Sequence, residues 1–266
     1  MKHLILAIAV VSSPALADEI TPDLVAGLPP VDILYLGELH DNPWHHETQA
    51  AVVAEMAPAA IVFEMLTPDM AGRVASDLIG NKDKLQAVLE WDQSGWPSFD
   101  MYYPIFAAAS GAAFYGAQVP RDAVRAAIMD GDVIDAFGPD AERYGLTDPL
   151  PLEEQQMREA KQFEAHCNAL PEHMLPGMVL GQRLRDATMA QVVDRALADT
   201  GGPVVVITGN GHARLDWGAP ALVSSGATQR SIAQVEAAPD GPVPYDFYIV
   251  TPATDRADPC LAFKKE

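Results

Sequence analysis

Residues Leu34 to Ala50 read LYLGELHDNPWHHETQA. An apolar run stops at Gly37. Within ten residues come Glu38, His40, Asp41, His45 and His46, three of the chain's seven histidines among them. The run is too short for a helix and does not alternate with polar residues, which suits a strand covered on both faces. The segment that follows, Trp44–Ala57, reads as a helix. A buried strand passing directly into a helix is the unit from which α/β sheets are built.

The same unit recurs outward from this stretch. Val31–Leu36, Ala60–Phe63, Ala112–Gly116 and Pro203–Thr208 are short apolar runs that read as buried strands. Thr67-Pro68-Asp69 opens a helix after the second run, with Thr67 as N-cap and Pro68 at the first helical position. Arg121–Asp130 supplies a helix after the third. Ser231–Val235 and Phe247–Val250 are candidates for two more strands. The expected class is therefore α/β, with a mainly parallel central sheet flanked by helices. The alternation breaks between about Gly138 and Gly181. There Pro149-Leu150-Pro151 precedes a helical stretch, Glu153–Leu170, and a second stretch, Gly181–Ala198, leads back to the fourth strand. Residues 138–180 are read as a helical insertion or cap on a single domain covering 18–266.

The chain opens MKHLILAIAVVSSPALA: one lysine, an apolar core, then Ala15-Leu16-Ala17. That is the pattern of a signal peptide cut after Ala17, and it predicts export to the periplasm. No cysteine lies near the cut to carry a lipid. Removing 1–17 leaves about 250 of the 266 residues, enough for one sizeable core. The formal charge of −20 repels phosphate backbones and argues against a nucleic-acid partner, while favouring cations. The two cysteines, Cys167 and Cys260, predict one disulfide in an oxidising compartment. The alternative is that Cys167, beside His166 and three residues past Glu164, ligates a metal.

The unusual residues share a location. The four strands end in Gly37-Glu38-Leu39-His40, Phe63-Glu64-Met65, Gln118-Val119-Pro120-Arg121 and Gly209-Asn210-Gly211-His212. In a parallel sheet these ends lie at one carboxyl edge, where α/β proteins place their sites. Glu38 and His40, two apart in an extended segment, point the same way. Glu38, His40, Glu64 and His212 are thus expected to converge, as ligands for a divalent metal or as acid–base groups. A carboxylate at Glu64, following Ile61-Val62-Phe63, needs a partner if buried. Glu47 reads as a helix-capping acid. One of His45 and His46 is expected to face the site and the other to be solvated, while His166 and His173 read as surface.

Five segments, GELHDNPWHHETQ, FEM, RDATMA (Arg185–Ala190), GNGHARLDWGAP and the late DPC (Asp258–Cys260), together resemble the ChaN family. That family belongs to the haem-binding uptake, Tiki-like superfamily, which also resembles the erythromycin esterases. The resemblance spans nearly the whole mature chain. It implies an exported protein of iron acquisition that binds haem in a cleft, with a tyrosine on the iron and paired subunits enclosing cofacial haems. Partners would be haem, a second subunit and the periplasmic or outer-membrane components of iron uptake. Wider relatives are hydrolases, and Glu38, His40, Glu64 and His212 match their metal-binding or water-activating elements, which makes hydrolysis the alternative function. For the iron ligand, the aromatic stretch SFDMYYPIFAAA offers Tyr103, preferred because Pro104 fixes the chain beside it, and Tyr102. Tyr144 is a third choice. His40 and His212 would support the ligand, and Arg121 would meet a propionate.

Overall fold

The computed structural model describes residues 17–263. The predicted signal peptide lies almost wholly outside the described residues. Among them, seven strands form one sheet: β1 (Asp18–Glu19), β2 (Ile33–Glu38), β3 (Ala60–Phe63), β4 (Ala113–Gly116), β5 (Val204–Gly209), β6 (Gln229–Val235) and β7 (Phe247–Val250). The order is β1-β7-β6-β2-β5-β3-β4 and every pairing is parallel. The α/β reading holds. β2 and β5 each run to the residue where the polar cluster starts, one or two past the ends expected from the apolar runs.

Alternation sorts each buried strand between two cores. Leu34, Leu36, Ile61, Phe63, Val205 and Ile207 face one side of the sheet. Ile33, Tyr35, Ala60, Val62, Val204 and Val206 face the other. Both sets are almost wholly buried, as the continuous apolar runs require. On the first side lie α1 (Pro43–Met56) and four short helices, α2 (Pro68–Gly72), α3 (Ser76–Ile79), α4 (Lys82–Val88) and α5 (Trp91–Ser94). With them lies α6 (Phe99–Ala108). Asn42 caps α1 by accepting from the Trp44 N–H at 2.9 Å, with Pro43 in the first turn, so Glu47 is not its cap. Thr67 caps α2 as expected.

The stretch SFDMYYPIFAAA is α6, with Pro104 inside the helix rather than ahead of it. Its aromatic residues fill the first core: the Phe106 ring stacks on Phe63 at 4.6 Å, and Tyr102 lies 4.9 Å from Trp91.

After α7 (Arg121–Asp130) and α8 (Val133–Phe137) comes the region expected to be an insertion. Its first part is tied down, because Tyr144 and Leu146 are buried with Leu184 and Ala187. The second part is α9 (Leu152–Ala165), which has no buried residue. It stops at Ala165 rather than Leu170, because Cys167 and Asn168 take left-handed backbone angles. Then α10 (Leu175–Thr200), longer than expected, crosses the second face of the sheet. α11 (Ala219–Leu222) follows β5. Cys167, just past α9, is bonded to Cys260 across 93 residues, so the disulfide reading holds. No helix among the described residues is long and apolar enough to cross a membrane.

Candidate functional site

Strand register assembles the site. Glu38 at the end of β2 is the Cα partner of Gly209 at the end of β5. Phe63 pairs with Ile207, so Glu64 follows alongside Thr208. Gly209 has a steric reason to be glycine: a Cβ there would stand 3.0 Å from the His40 ring nitrogen, which passes over it. Asn210 hydrogen-bonds the main chain of Gln234 in both directions, which fixes the turn leading to His212.

Glu38, buried at the sheet edge, is the most heavily bonded group. Its Oε1 accepts from the Tyr102 hydroxyl at 2.8 Å and from His40 Nδ1 at 2.7 Å. Its Oε2 accepts from the Gln49 amide at 2.8 Å and faces His46 Nδ1 at 3.3 Å. Burial alone would raise this carboxyl. The hydrogen bond from His40 and the attraction of His46 outweigh burial and hold it at about 2. Glu64 Oε2 accepts from the Thr208 hydroxyl at 2.7 Å and the Gly209 N–H at 2.8 Å. Its Oε1 faces His212 Nε2 at 3.6 Å and His40 Nε2 at 4.0 Å. His212 Nδ1 lies 2.6 Å from Oδ1 of buried Asp186 on α10. Burial raises Asp186 and would lower His212, but two flanking carboxylates hold the imidazole at about 9. Against burial, the Glu38 hydrogen bond likewise raises His40.

The result is an alternating line of acid and base, Asp186, His212, Glu64, His40 and Glu38, that ends on Tyr102. All four residues expected to converge are in it. No group of three or more His, Cys, Asp or Glu among the described residues is arranged to hold a metal. Most of the carboxylate oxygens are already spent on donors, which is the physical reason.

Other expectations need correction. His45 and His46 are both buried, neither solvated. His45 Nδ1 accepts the Leu39 N–H at 2.8 Å, and burial holds its imidazole at about 4. His46 Nε2 meets the His40 carbonyl at 2.9 Å. Tyr103 is not brought to the cluster: one residue along a helix from Tyr102, it points elsewhere and donates to the Ile79 carbonyl at 3.0 Å. Tyr102 is in the cluster but fully buried, and burial with Glu38 pushes its phenol far up. Tyr144 donates to Asp194 in the satellite core. Arg121 does reach the edge, with its guanidinium on the Ser94 carbonyl at 2.7 Å.

Two chambers open on either side of His40 and His212, and Gln182 lines both. The larger, about 590 Å³, lies between α9 and the sheet edge. Leu39, Val179, Trp217 and Tyr245 give it apolar and aromatic wall, and Arg158, Lys161 and Arg214 give it positive charge. Trp217 is flanked by the guanidinium of Arg214 at 3.8 Å and that of Arg158 at 5.1 Å. Tyr245 donates to the Asn210 carbonyl at 2.9 Å, and burial pushes its phenol up to about 12. The smaller chamber, about 360 Å³, is bounded by Trp96, Arg121 and Arg185. Sequence reasoning missed Asp186, Trp217, Tyr245 and Arg185. Arg185 and Asp186 lie in RDATMA and Trp217 in GNGHARLDWGAP, but nothing in those segments marks the three as lining one site, and Tyr245 lies outside them.

The pattern of the family described as haem-binding uptake, Tiki superfamily, ChaN matches residues 24–223. No curated protein matches the chain. Among solved structures, the chain is similar to ChaN of Campylobacter jejuni, described as showing cofacial haem binding. The identity is 19%, the TM-score 0.61, and the match covers 84% of this chain and 89% of that one. It also matches the type III effector HopBA1, at 12% identity and TM-score 0.45 over 85% of this chain and 88% of that one. A Bacillus cereus protein matches at 13% identity and TM-score 0.37, over 83% of this chain and 72% of that one.

Proposed function

This chain belongs to the ChaN family of the haem-binding uptake, Tiki superfamily, and from that premise we propose that it is an exported haem-binding protein of an iron-uptake pathway. The observation that carries the proposal is the larger chamber. It sets an aromatic and apolar wall directly against His40, whose Nε2 makes no hydrogen bond. The residues fit haem: a porphyrin face needs apolar cover, the iron needs a nitrogen or oxygen donor, and the acidic edge needs cations. His40 would hold the iron, with Glu38 fixing its ring through Nδ1. Trp217 and Tyr245 would cover the macrocycle, and Arg158 and Lys161 would offset its negative charge. Bound haem would supply the iron that the pathway carries.

Export rests on the opening segment and is supported by the Cys167–Cys260 disulfide, since such bonds persist in oxidising compartments. A haem-bridged pair of subunits is part of the same proposal, in keeping with the cofacial haem binding described for ChaN of Campylobacter jejuni.

Hydrolysis is the less favoured reading. A general base must be free of its proton, yet His212, flanked by Glu64 and Asp186, is held protonated to about pH 9. Glu38 and Glu64 are committed to donors inside the cluster.

Haem titration of the purified mature protein, followed by visible spectra, tests the proposal. The expected result is a saturable shift of the Soret band. A spectrum that stays that of free haem at every ratio overturns it.

A further inference from the structure

The smaller chamber carries an inference that does not rest on haem. Arg121 and Arg185 both line it. Neither is ion-paired with a carboxylate of the described residues. Among the described residues the Arg121 guanidinium hydrogen-bonds only the Ser94 carbonyl. His40 and His212 close the floor. The one carboxylate there, Glu64, has Oε2 on Thr208 and Gly209 and turns Oε1 toward both imidazoles. Trp96 stacks obliquely on His40 at 4.9 Å, and its indole N–H is buried without a partner. The chamber therefore concentrates cations and donors in a chain of net charge −20. Two guanidinium groups lining one cavity, neither paired with a carboxylate, form a receptor for planar or tetrahedral oxyanions.

We propose that the smaller chamber is an oxyanion-binding site that takes a carboxylate or phosphate group between Arg121 and Arg185. The larger volume beyond His40 and His212 leaves two sources for that group. It is a free anion, or it is the carboxylate of a ligand whose body occupies the larger chamber.

The test is calorimetric titration of the mature protein, prepared in chloride buffer, with inorganic phosphate and with acetate. Saturable binding of at least one is expected. Arg121→Gln and Arg185→Gln should each weaken it at least tenfold, and Arg185→Lys, which keeps the charge but loses the planar fork, should weaken it less than Arg185→Gln. Arg121 is exposed, so Arg121→Gln reports even if a change at Arg185 disturbs α10. Absence of saturable binding for both anions overturns the proposal, as does unchanged affinity in the double variant. Repeating the titration with haem and with its dimethyl ester distinguishes the sources. Blocking by haem but not by the ester assigns the site to the ligand's own carboxylate. Phosphate binding that survives both assigns it to a free anion.

Discussion

His212 and Asp186 meet at 2.6 Å across 26 residues of chain, one from the turn after β5 and the other from the middle of α10. On its other side His212 faces Glu64 at 3.6 Å. An imidazole between two carboxylates keeps its proton, here to about pH 9. In the unfolded chain it releases that proton near its ordinary value of 6.5. The stabilisation is therefore complete below 6.5 and disappears as pH rises through 9, on the order of 3 kcal/mol in all. Urea unfolding measured from pH 6 to 10 should show this decline in the wild type and a flatter limb in His212→Gln. Parallel limbs would mean that the imidazole is not held in this way.

His45 has the opposite sign. Burial depresses it to about 4, and its Nδ1 is already accepting an amide proton. Between pH 6.5 and 4 the unfolded chain takes up a proton that the folded chain refuses, so stability falls as pH falls. An NMR titration should place the His45 ring transition near 4. A transition at the ordinary histidine value would refute the buried placement.

Glu64 and His212 should be energetically coupled. Glu64→Gln, His212→Gln and the double change complete a cycle in unfolding free energy. The interaction should exceed roughly 0.5 kcal/mol, the usual scatter of independent sites. Additive losses would separate the two residues.

Substitutions on adjacent tyrosines should differ in kind. Tyr102→Phe removes a donor from buried Glu38 and should cost about 1–3 kcal/mol of stability. Tyr103→Phe breaks a bond to the Ile79 carbonyl and should leave the haem spectrum unchanged. His40→Ala should lower haem affinity at least tenfold. A large spectral change in Tyr103→Phe with none in His40→Ala would move the iron to α6.

The sheet and its polar edge were legible because each depends on short-range pattern. Apolar runs of four to six residues ending at Leu36, Phe63 and Thr208 announce buried parallel strands, and the residues after each run fall at the carboxyl edge. What the pattern could not reveal depends on helix rotation and long-range packing. Tyr102 and Tyr103 are equivalent by composition, and only the phase of α6 against the sheet separates them. Asp186 sits in a helix whose buried face cannot be fixed without the sheet beneath it. Pro104, read as fixing the chain beside Tyr103, lies inside α6, where the aromatic core formed by Trp91, Phe99 and Phe106 holds the helix despite the lost N–H. One of His45 and His46 read as solvated, yet both are buried, His45 on the Leu39 N–H and His46 against Glu38.

The two sides of the larger chamber answer to different constraints. Its floor is a set of groups that fix one another's protonation, so exchanging any one of them perturbs the rest. Its outer wall, α9, buries no side chain and is anchored through a covalent cross-link just beyond its end. Lys161, exposed on that helix, can therefore be replaced at little cost to folding, as surface positions usually can. Divergence or redesign toward a different occupant has its widest freedom on that helix, while the chemistry beneath it stays constant.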